Sequence, residues 1–381
     1  MTFRACAAGA GLALGLVLSG CAALPREEPP SLAEAAAEQA IAEGGMPGVA
    51  VLEIRNGRIF REAVRGVRAA GGSDPVRPGD VWHHGSNGKP ITATLVARLV
   101  ERGLLSWDAP LRELLPELAA GMRPEFRDVT LTQLLSHRSG LASESDSAFI
   151  QGFFDDARSL PEQRRAYLQR ALSEEPAVPA GAYNYSNTAF LVAAAAAERA
   201  TGRSFEDLVR AEIFRPLGMR TAGFGPTRIG QPLGHEDGAP LTGPRADNPL
   251  MWAPAGAIHM SLYDYGLFVI DQMQGERGRG KLLKASTYRL LHQPVPDPTG
   301  ARSNGLDWGV RQEPYGRHLM HAGSNGYWVA VVSAAPDVLN AAIVAGNAEG
   351  ANGERAAARA LKLVRSAWPA QPSAPAATAR P

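Results

Sequence analysis

The chain has 381 residues, of which 45% are hydrophobic and 20% are charged. This is an ordinary globular composition, and the length suffices for one large domain or two medium ones. The formal net charge is only +1 at pH 7, which excludes a basic surface of the kind that binds nucleic acid and excludes electrostatic attraction to anionic lipids.

Residues 1–20 have the pattern of an export signal. Arg4 is followed by a run of about 13 small and apolar residues, which is shorter than the ~20 that a membrane-spanning helix needs. The run ends in Leu18-Ser19-Gly20-Cys21, which resembles the bacterial lipobox, where the cysteine thiol is acylated and becomes the new N-terminus. The alternative is ordinary cleavage after Ala23.

The cysteines of the chain are Cys6 and Cys21, so the exported form has no disulfide framework. We expect residues 1–20 to be a lipoprotein signal peptide and residues 21–30 to be a tether. Acyl chains on Cys21 would then hold the protein on a membrane. The predicted location is a membrane-anchored lipoprotein that faces the periplasm or the cell envelope.

The next part of the chain is predicted to form a helix and then a hairpin. Ser31-Leu32-Ala33-Glu34 has the spacing of a capping box, which predicts a helix that continues to about Glu43. Two runs of alternating apolar and polar residues then flank Asn56-Gly57, a dipeptide that favours a two-residue hairpin turn.

The middle of the chain, about residues 90–250, is predicted to be mostly helical. One helix begins close to Ser86 and ends at Gly103, because the apolar residues between them follow helical spacing. Thr130-Leu131-Thr132-Gln133 is a capping box before a short helix that Gly140 closes. Two longer helices are predicted in the sequences NTAFLVAAAAAERATG and SFEDLVRAEIFRPLGM.

Strand patterns return near the end of the chain. Two apolar runs separated by Pro336-Asp337 predict an antiparallel pair of strands in the sequence YWVAVVSAAPDVLNAAIVAGN. A closing helix is predicted in the sequence GERAAARALKLVRSAW. Residues 368–381 are rich in Pro and Ala, so we expect a disordered tail there.

This order of elements predicts an α/β protein of the α+β type. An antiparallel sheet would be built from about residues 31–85 and 255–367, flanked by the N- and C-terminal helices. A large and mostly helical region, about residues 90–250, would be inserted between the two parts of the sheet. We expect residues 31–367 to form a single catalytic domain.

Several catalytic motifs are absent from the sequence. No Gly-x-Ser-x-Gly occurs, which excludes the nucleophile elbow of α/β-hydrolases. No His-Glu-x-x-His occurs, and the histidines lack metal-ligand spacing. The sequence GERGRGKL imitates a phosphate-binding loop but ends in Leu282, where a magnesium-binding Ser or Thr is needed. We therefore predict neither a metal site nor an organic cofactor.

The pattern H-x-G-S-N-G occurs twice, at residues 83–88 (the first segment) and at residues 321–326 (the second segment). Only in the first segment is the serine followed three residues later by a lysine, which puts Ser86 and Lys89 on one helix face. A serine needs a base to become nucleophilic, and a partly desolvated lysine can lose its proton near neutral pH. The alternative interpretation is an N-cap serine beside a solvated lysine.

Six sequences occur in this order along the chain: GSNGKPITATLVARLVERGLLSWDAPL, VTLTQLLSHRSGL, PAGAYNYSNTAFLVAAAAAERATGRSFEDLV, IFRPLGM, PAGAIHMSLYDYGLF and HAGSNGYW. Because these sequences occur in this order, the chain resembles the serine β-lactamase and penicillin-binding-protein superfamily. The resemblance extends from about residue 32 to residue 366. It is similar to the class C β-lactamase-related serine hydrolases, which include esterases and D-peptidases. The resemblance implies the β-lactamase/transpeptidase-like fold and hydrolysis through an acyl-enzyme without a cofactor.

By position, the resemblance assigns roles to residues in the middle of the chain. Ser86 matches the acylated nucleophile and Lys89 its base partner. Tyr185 matches a tyrosine that relays protons to the leaving group, and a phenol beside a cationic amine is expected to have a lowered pKa. Asn187 matches the asparagine of the Tyr-x-Asn element, which would position the substrate and Lys89.

The second segment matches another family element. His321-Ala322-Gly323 corresponds to the Lys-Thr-Gly triplet of an edge strand, where the first two side chains grip the substrate and the glycine allows close approach. Ser324 corresponds to a position whose N–H, with that of Ser86, forms the oxyanion hole. The resemblance thus predicts that Ser86 attacks and that Ser324 contributes its backbone.

Departures from the family pattern bear on the substrate. Gly88 precedes the lysine where threonine is usual, and His321 and Ala322 replace Lys and Thr, which weakens the grip on a substrate carboxylate. We therefore predict an esterase or peptidase-like hydrolase that acts on an ester, amide or lactam carbonyl of a small-molecule or peptide substrate. The alternatives are a true class C-type β-lactamase or D-Ala-D-Ala carboxypeptidase, and a catalytically inactive envelope lipoprotein used as a binding module.

The remaining histidines near these motifs are predicted to be structural. His83, His84 and His137 lie in or beside these motifs, but mid-chain histidines commonly satisfy local hydrogen bonds. We do not assign them a catalytic role from the sequence.

Overall fold

The structure is a computed structural model, and it describes residue 2 and residues 31–228, 230–296 and 304–370. The predicted tether with Cys21, the predicted signal peptide except residue 2, and the predicted tail beyond residue 370 therefore lie outside the described residues. Within the described ranges, no helix combines the length and the apolar character that are needed to cross a membrane.

Contacts divide the chain into Met1–Pro30 and Ser31–Pro381, and every element named below lies in the second unit. The strands are β1 (Gly48–Arg55), β2 (Arg58–Gly66), β3 (Val81–His83), β4 (Gly223–Phe224), β5 (His235–Glu236), β6 (Ala239–Pro240), β7 (Ile258–Ser261), β8 (Gly309–Glu313), β9 (Gly316–Ser324), β10 (Val329–Ala335) and β11 (Asn340–Gly346). The helices are α1 (Ala33–Glu43), α2 (Lys89–Glu101), α3 (Leu111–Leu114), α4 (Leu131–Leu135), α5 (Ser147–Gln151), α6 (Leu160–Ala171), α7 (Asn187–Thr201), α8 (Phe205–Val209), α9 (Arg215–Leu217), α10 (Leu262–Gly275), α11 (Ala285–His292) and α12 (Ala351–Arg365).

In the described residues the largest sheet has six antiparallel strands in the order β2-β1-β11-β10-β9-β8. It joins the N-terminal strands to the C-terminal strands, as predicted, because β1 pairs with β11 and places Val51 opposite Val344. The predicted hairpin turn is confirmed: Asn56 and Gly57 both have positive φ values, 51° and 71°. Positive φ at both central residues is the type I′ geometry that matches the twist of the flanking strands.

Helices cover both faces of this sheet. On one face α1 packs against α12, and the two helices lie over β1, β10 and β11. Their contact is built from small, fully buried side chains, namely Ala36, Ala37, Ala40, Ala356, Ala357 and Ala360. Small side chains let the helices lie close to each other and to the sheet at interior packing density. The other face packs on α10 and continues into the core of the helical region, so the predicted fold class is confirmed.

Two helices of the inserted region begin as the sequence predicted. The Thr130 hydroxyl accepts from the N–H of Gln133, whose side chain accepts from the N–H of Thr130, so this capping box is confirmed. Ser186 caps α7 by accepting from the N–H of Ala189, and Gly202 ends the helix in the left-handed conformation.

The capping box predicted at Ser31 is wrong. Leu32 occupies the N-cap position of α1, and the Ser31 hydroxyl donates to Glu53 of β1 at 2.7 Å. Glu34, the other half of the expected box, pairs with Arg61 of β2 at 3.0 Å. The Ser31 hydroxyl still accepts from the N–H of Ala33 at 3.1 Å, but the reciprocal contact of Glu34 on which the box depended is replaced by its contact with β2.

A second, small sheet of β3, β7 and β4 places the first segment at the side of the main sheet. His83 is the last residue of β3, and the chain then forms the 3₁₀ turn Gly85–Gly88, after which α2 begins at Lys89. This turn contacts β9 and β10 of the main sheet. The first segment consequently lies against the second segment, which forms the end of β9.

Candidate active site

Ser86 lies in the 3₁₀ turn between β3 and α2, where the main sheet meets the helical region. Lys89 is fully buried at the start of α2, and Pro90 follows it in the first turn, where a proline costs no helical hydrogen bond. The Nζ atom of Lys89 lies 2.8 Å from Ser86 Oγ and 2.5 Å from the carbonyl oxygen of Ala255. The structure thus brings the predicted serine and lysine into direct contact.

Burial changes the acidity of Lys89. Removal from water destabilises the ammonium form and lowers the pKa from 10.5 to about 7, while the negative charges of Asp307 and Glu144 act in the opposite direction. A substantial fraction of the amine is therefore neutral at pH 7 and is able to accept a proton. The alternative of a solvated lysine is wrong, because the side chain has no exposed surface.

Tyr185 also contacts the Ser86 hydroxyl. The phenol donates to Ser86 Oγ at 2.6 Å, and its ring centre lies 4.9 Å from Lys89 Nζ. The residue as a whole is 36% exposed, and removal of its hydroxyl from water is the largest influence on its pKa. This burial, with the charge of Asp307, raises the pKa of the phenol, so the expected lowering is wrong. The reason is that a buried amine with a pKa of about 7 is not a permanent cation.

Asn187 is the first residue of α7, two positions after Tyr185, and it is half-buried. The amine of Lys89 is held by the Ser86 hydroxyl and the Ala255 carbonyl, and not by Asn187. The expectation that Asn187 positions Lys89 is therefore wrong, whereas its role toward substrate stays a prediction. Sequence reasoning missed Ala255, because its contribution is a backbone carbonyl that no side-chain motif reveals.

His321 lies on β9, where the resemblance places a substrate-gripping lysine, but its side chain is only 8% exposed. Its Nδ1 lies 2.9 Å from Asn87 Oδ1, and its Nε2 lies 2.9 Å from Asp307 Oδ2. The second contact is bent away from hydrogen-bond geometry and is an ion-pair contact. Both ring nitrogens contact other residues of the protein, so His321 links residues of the site wall, and its contact with a substrate stays a prediction.

Asp307 is a buried carboxylate that the sequence did not single out, and it joins two histidines. Its Oδ1 lies 2.9 Å from Nε2 of His137, and its other oxygen faces His321. His137 accepts the N–H of Ser186 at Nδ1, so its Nε2 carries the proton that Asp307 accepts. Although burial acts to raise it, the pKa of Asp307 is lowered by His321 and His137. The His137 ring lies 4.6 Å from that of Tyr185, which fits its predicted structural role.

The end of β9 lies directly against the turn that contains Ser86. A Cβ atom on Gly323 would overlap the carbonyl oxygen of His84 and lie 2.8 Å from the Ser86 amide nitrogen. A Cβ atom on Gly85 would lie 2.5 Å from the Ser324 amide nitrogen, and Gly85 has a φ of 50°. This close backbone approach requires glycine at both positions. The N–H groups of Ser86 and Ser324, the predicted oxyanion donors, therefore lie across one narrow gap.

The outer edge of the second segment is open to a substrate. In the described residues, β8 pairs with β9 only as far as Met320, so residues 321–324 lack a strand partner on that side. The hydroxyl of Ser324 accepts from the N–H of Gly326 at 3.0 Å and serves the local turn. An extended substrate can align with such an edge.

The described residues contain no group of three or more histidine, cysteine, aspartate or glutamate side chains arranged to hold a metal ion. In the sequence GERGRGKL, the N–H of Lys281 donates to Asp271 at 2.6 Å, and Gly280 packs against the ring of Tyr288. These backbone contacts serve the fold of the loop.

Known proteins resemble the chain over most of its length. A sequence model of the Beta-lactamase family matches residues 33–366. The chain is 33% identical over 221 residues to esterase EstB of Burkholderia gladioli, covering 54% of this chain and 55% of the esterase. It is 32% identical over 177 residues to penicillin-binding protein 4 of Amycolatopsis lactamdurans, covering 46% of this chain and 44% of that protein. The chain thus spans about half the length of these curated relatives.

Solved structures share the fold. A D-stereospecific amidohydrolase from Streptomyces sp. superposes with a TM-score of 0.70 at 25% identity, covering 87% of this chain and 98% of that chain. A class C beta lactamase from Rhodobacter sphaeroides also gives a TM-score of 0.70, at 20% identity, covering 88% of this chain and 98% of that chain, and this likeness concerns the fold alone. Because the family match extends from residue 33 to residue 366, the chain belongs to the Beta-lactamase family.

Proposed function

We propose that the protein is a serine hydrolase that forms an acyl-enzyme on Ser86 and acts on uncharged esters or amides. The proposal depends on one observation above all: the Ser86 hydroxyl lies 2.8 Å from the buried amine of Lys89 and 2.6 Å from the hydroxyl of Tyr185. A serine becomes nucleophilic when a base takes its proton, and here the base is in contact with it.

The reaction begins when the neutral amine of Lys89 accepts the Ser86 proton and Oγ bonds to the substrate carbonyl carbon. The carbonyl oxygen becomes an oxyanion, which the N–H groups of Ser86 and Ser324 stabilise. As the bond to the leaving group breaks, Tyr185 donates its proton to the leaving oxygen or nitrogen and regains one from Lys89. Water then adds to the acyl carbon and gives a proton to the same pair of residues, which return it to Ser86 Oγ as the bond between Oγ and the acyl carbon breaks.

The preference for uncharged substrates is supported by the second segment. The ring of His321 is engaged by Asn87 and Asp307, and the carboxylate balances any positive charge on the ring. The exposed Ala322 offers no hydroxyl. A substrate carboxylate would find neither a free cation nor a hydroxyl donor at these two positions. The similarity to a protein named as an esterase and to one named as an amidohydrolase supports esters and amides as the reacting groups.

The test is intact mass of the full chain after incubation with p-nitrophenyl butyrate and, separately, with a penicillin. We expect turnover or an acyl adduct with the ester, which is lost in Ser86→Ala and kept in Ser324→Ala, since the Ser324 hydroxyl serves only its own turn. Equal loss in the two variants would contradict the choice of nucleophile. Rapid penicillin hydrolysis would favour a class C-type β-lactamase. Release of D-alanine from a D-Ala-D-Ala peptide would favour a carboxypeptidase. If no reagent formed an adduct, a catalytically inactive binding module would be the remaining alternative.

We also propose that the protein is an exported lipoprotein anchored through Cys21 and facing the periplasm or cell envelope. The support is the sequence Leu18-Ser19-Gly20-Cys21 after a short apolar run. Detergent phase partition of the full chain tests this: the wild type is expected in the detergent phase, and Cys21→Ser in the aqueous phase. Wild-type protein in the aqueous phase would contradict the anchor.

A further inference from the structure

The first and second segments meet backbone to backbone, and their glycines play equivalent parts in the contact. Gly85 of the first segment lies against the backbone of Ser324, and Gly323 of the second segment lies against the backbone of Ser86. The two copies of the pattern H-x-G-S-N-G therefore face each other across the gap between the predicted oxyanion donors.

The histidine of each segment is joined to the asparagine of the other segment. His321 of the second segment lies 2.9 Å from Asn87 of the first. In the other direction a carboxylate intervenes: the Nε2 atom of His83 lies 2.9 Å from Asp247 Oδ2, and the Nδ2 atom of Asn325 lies 2.9 Å from Asp247 Oδ1. The segments are thus connected once directly and once through Asp247.

Asp247 Oδ1 also accepts the N–H of Asn248 at 2.7 Å. Neighbouring backbone groups fix the direction of the hydrogen bonds from His83 and Asn325. His83 Nδ1 accepts the N–H of Gly85 at 3.1 Å, so the ring proton is on Nε2, which donates to the carboxylate. Asn325 Oδ1 accepts the N–H of Tyr327 at 3.2 Å, so its amide nitrogen donates to the other carboxylate oxygen. The side chains of His83 and Asp247 are 1% and 0% exposed, so water does not replace the hydrogen bond between them.

The groups that Asp247 holds are next to the two oxyanion donors in the chain. Through the histidine it reaches the N–H of Gly85, which precedes Ser86, and Asn325 directly follows Ser324. We propose that Asp247 is a positioning residue that sets the distance between the two oxyanion N–H groups by holding both segments; this role rests on the proposed function. The residue touches neither the nucleophile nor the base, so it acts only through the segments.

An asparagine cannot replace this carboxylate. Donors on His83 and Asn325 point at its two oxygens, and the amide of Asp247→Asn would present an NH₂ group to one of them. One buried donor would then lack an acceptor, and its segment would have to move. Loss of a whole oxyanion donor costs about 10²- to 10³-fold in kcat, so we expect a displaced donor to cost roughly 10- to 100-fold.

The test measures hydrolysis of p-nitrophenyl butyrate by the full chain and its inhibition by phenylboronic acid, which forms a tetrahedral adduct with the serine. For D247N we expect kcat to fall roughly 10- to 100-fold. KM should stay within about two-fold of the wild-type value, because only transition-state binding is lost. The inhibition constant for phenylboronic acid should rise in proportion to the fall in kcat. Asn325→Ala is the second variant, for use if D247N does not fold. It changes a half-buried residue and keeps the bond between His83 and Asp247. We expect a smaller fall in kcat for N325A than for D247N.

Asp271→Asn is the matched control. Asp271 is a buried carboxylate that accepts from the Tyr288 hydroxyl at 2.5 Å and from the N–H of Lys281 at 2.6 Å, outside both segments. We expect its substitution to leave kcat within about two-fold of wild type. An equal loss of kcat in D271N and D247N would overturn the positioning role, since any buried carboxylate would then have the same effect.

Two further outcomes would also overturn the role: unchanged kcat in folded D247N and N325A, or a fall in kcat with unchanged affinity for phenylboronic acid. A wild-type protein that does not hydrolyse the ester contradicts the proposed function instead. In that case the affinity for phenylboronic acid, which needs only Ser86 and the two N–H groups, still decides the positioning role through the same variants.

Discussion

The first and second segments share the pattern H-x-G-S-N-G but have different tasks. The first passes from β3 into α2, so its serine contacts a buried lysine one turn later. The second ends β9, its serine hydroxyl accepts from Gly326, and Tyr327 stands where a lysine would be needed. Five of the six positions are identical and therefore do not distinguish the two serines; the element that follows each segment distinguishes them.

The segments also differ in the carboxylate that each histidine contacts. Asp247, beside His83, connects the first segment to the second and holds backbone groups in place. Asp307, beside His321, connects the second segment to His137, and its charge acts on Lys89 and Tyr185. Asp247 thus holds backbone groups in position, whereas the charge of Asp307 also affects the pKa values of Lys89 and Tyr185.

Replacing Lys89 should have the largest effect, because it removes the main difference between the segments. In Lys89→Arg the guanidinium stays protonated at neutral pH and cannot act as a base, so kcat/KM for p-nitrophenyl butyrate should fall roughly 10³-fold or more. Lys284→Arg, at an exposed position before α11, is the control. A folded K89R enzyme that keeps more than about a tenth of the activity would contradict the base role.

Replacing Tyr185 should have a smaller effect that depends on the leaving group. Tyr185→Phe removes the proton donor and keeps Lys89, so kcat/KM for an ethyl ester should fall about 10²-fold. The fall should be smaller for the matching p-nitrophenyl ester, because nitrophenolate leaves without a proton. Steady-state rates with the two esters measure the difference, and an equal loss with both would argue against the relay.

Replacing Asp307 should lower stability and change the pH dependence. In Asp307→Asn both histidines lose their shared carboxylate, so the free energy of unfolding should fall by about 3 kcal/mol in urea titrations. The negative charge of Asp307 opposes the lowering of the Lys89 pKa. Without this charge, the acid limb of kcat/KM should move to lower pH, and a move to higher pH would contradict the assignment.

The smallest expected effect concerns substrate charge. Because the ring of His321 is engaged by Asn87 and Asp307, the p-nitrophenyl ester of succinate should have a kcat/KM roughly ten-fold below that of the butyrate ester. The values of kcat/KM for the two esters are measured on wild-type protein at low and high salt. Salt screens an effect of substrate charge but not an effect of acyl-chain length. A preference for the anionic ester would show that a cation faces the substrate.

The sequence was sufficient to predict contacts between residues that are close together in the chain. A spacing of three residues put Ser86 and Lys89 on one face, and Asn56-Gly57 identified a hairpin turn, both from short-range geometry. Tyr185 lies 99 residues from Ser86, so only the family resemblance could place it beside the nucleophile.

The contacts that sequence reasoning missed are formed by buried residues far apart in the chain. Asp247 lies 164 residues from His83, and Ala255 lies 166 residues from Lys89. A carboxylate such as Asp307 is expected at the surface when nothing in the sequence shows its partners. The family resemblance placed His321 at the substrate, and it could not show that the ring contacts Asp307, because no motif identified that carboxylate.

The chemistry requires that the amine of Lys89 be neutral near pH 7 and remove the proton of Ser86. The most direct measurement is the rate constant for phosphonylation of Ser86 by a fluorophosphonate, followed by intact mass as a function of pH, with S86A as the blank. We expect the rate to rise with pH and reach half its maximum at about 7, the lowered pKa of Lys89. A rate that rises only toward the ordinary lysine pKa of 10.5, or an identical profile in K89R, would contradict this mechanism.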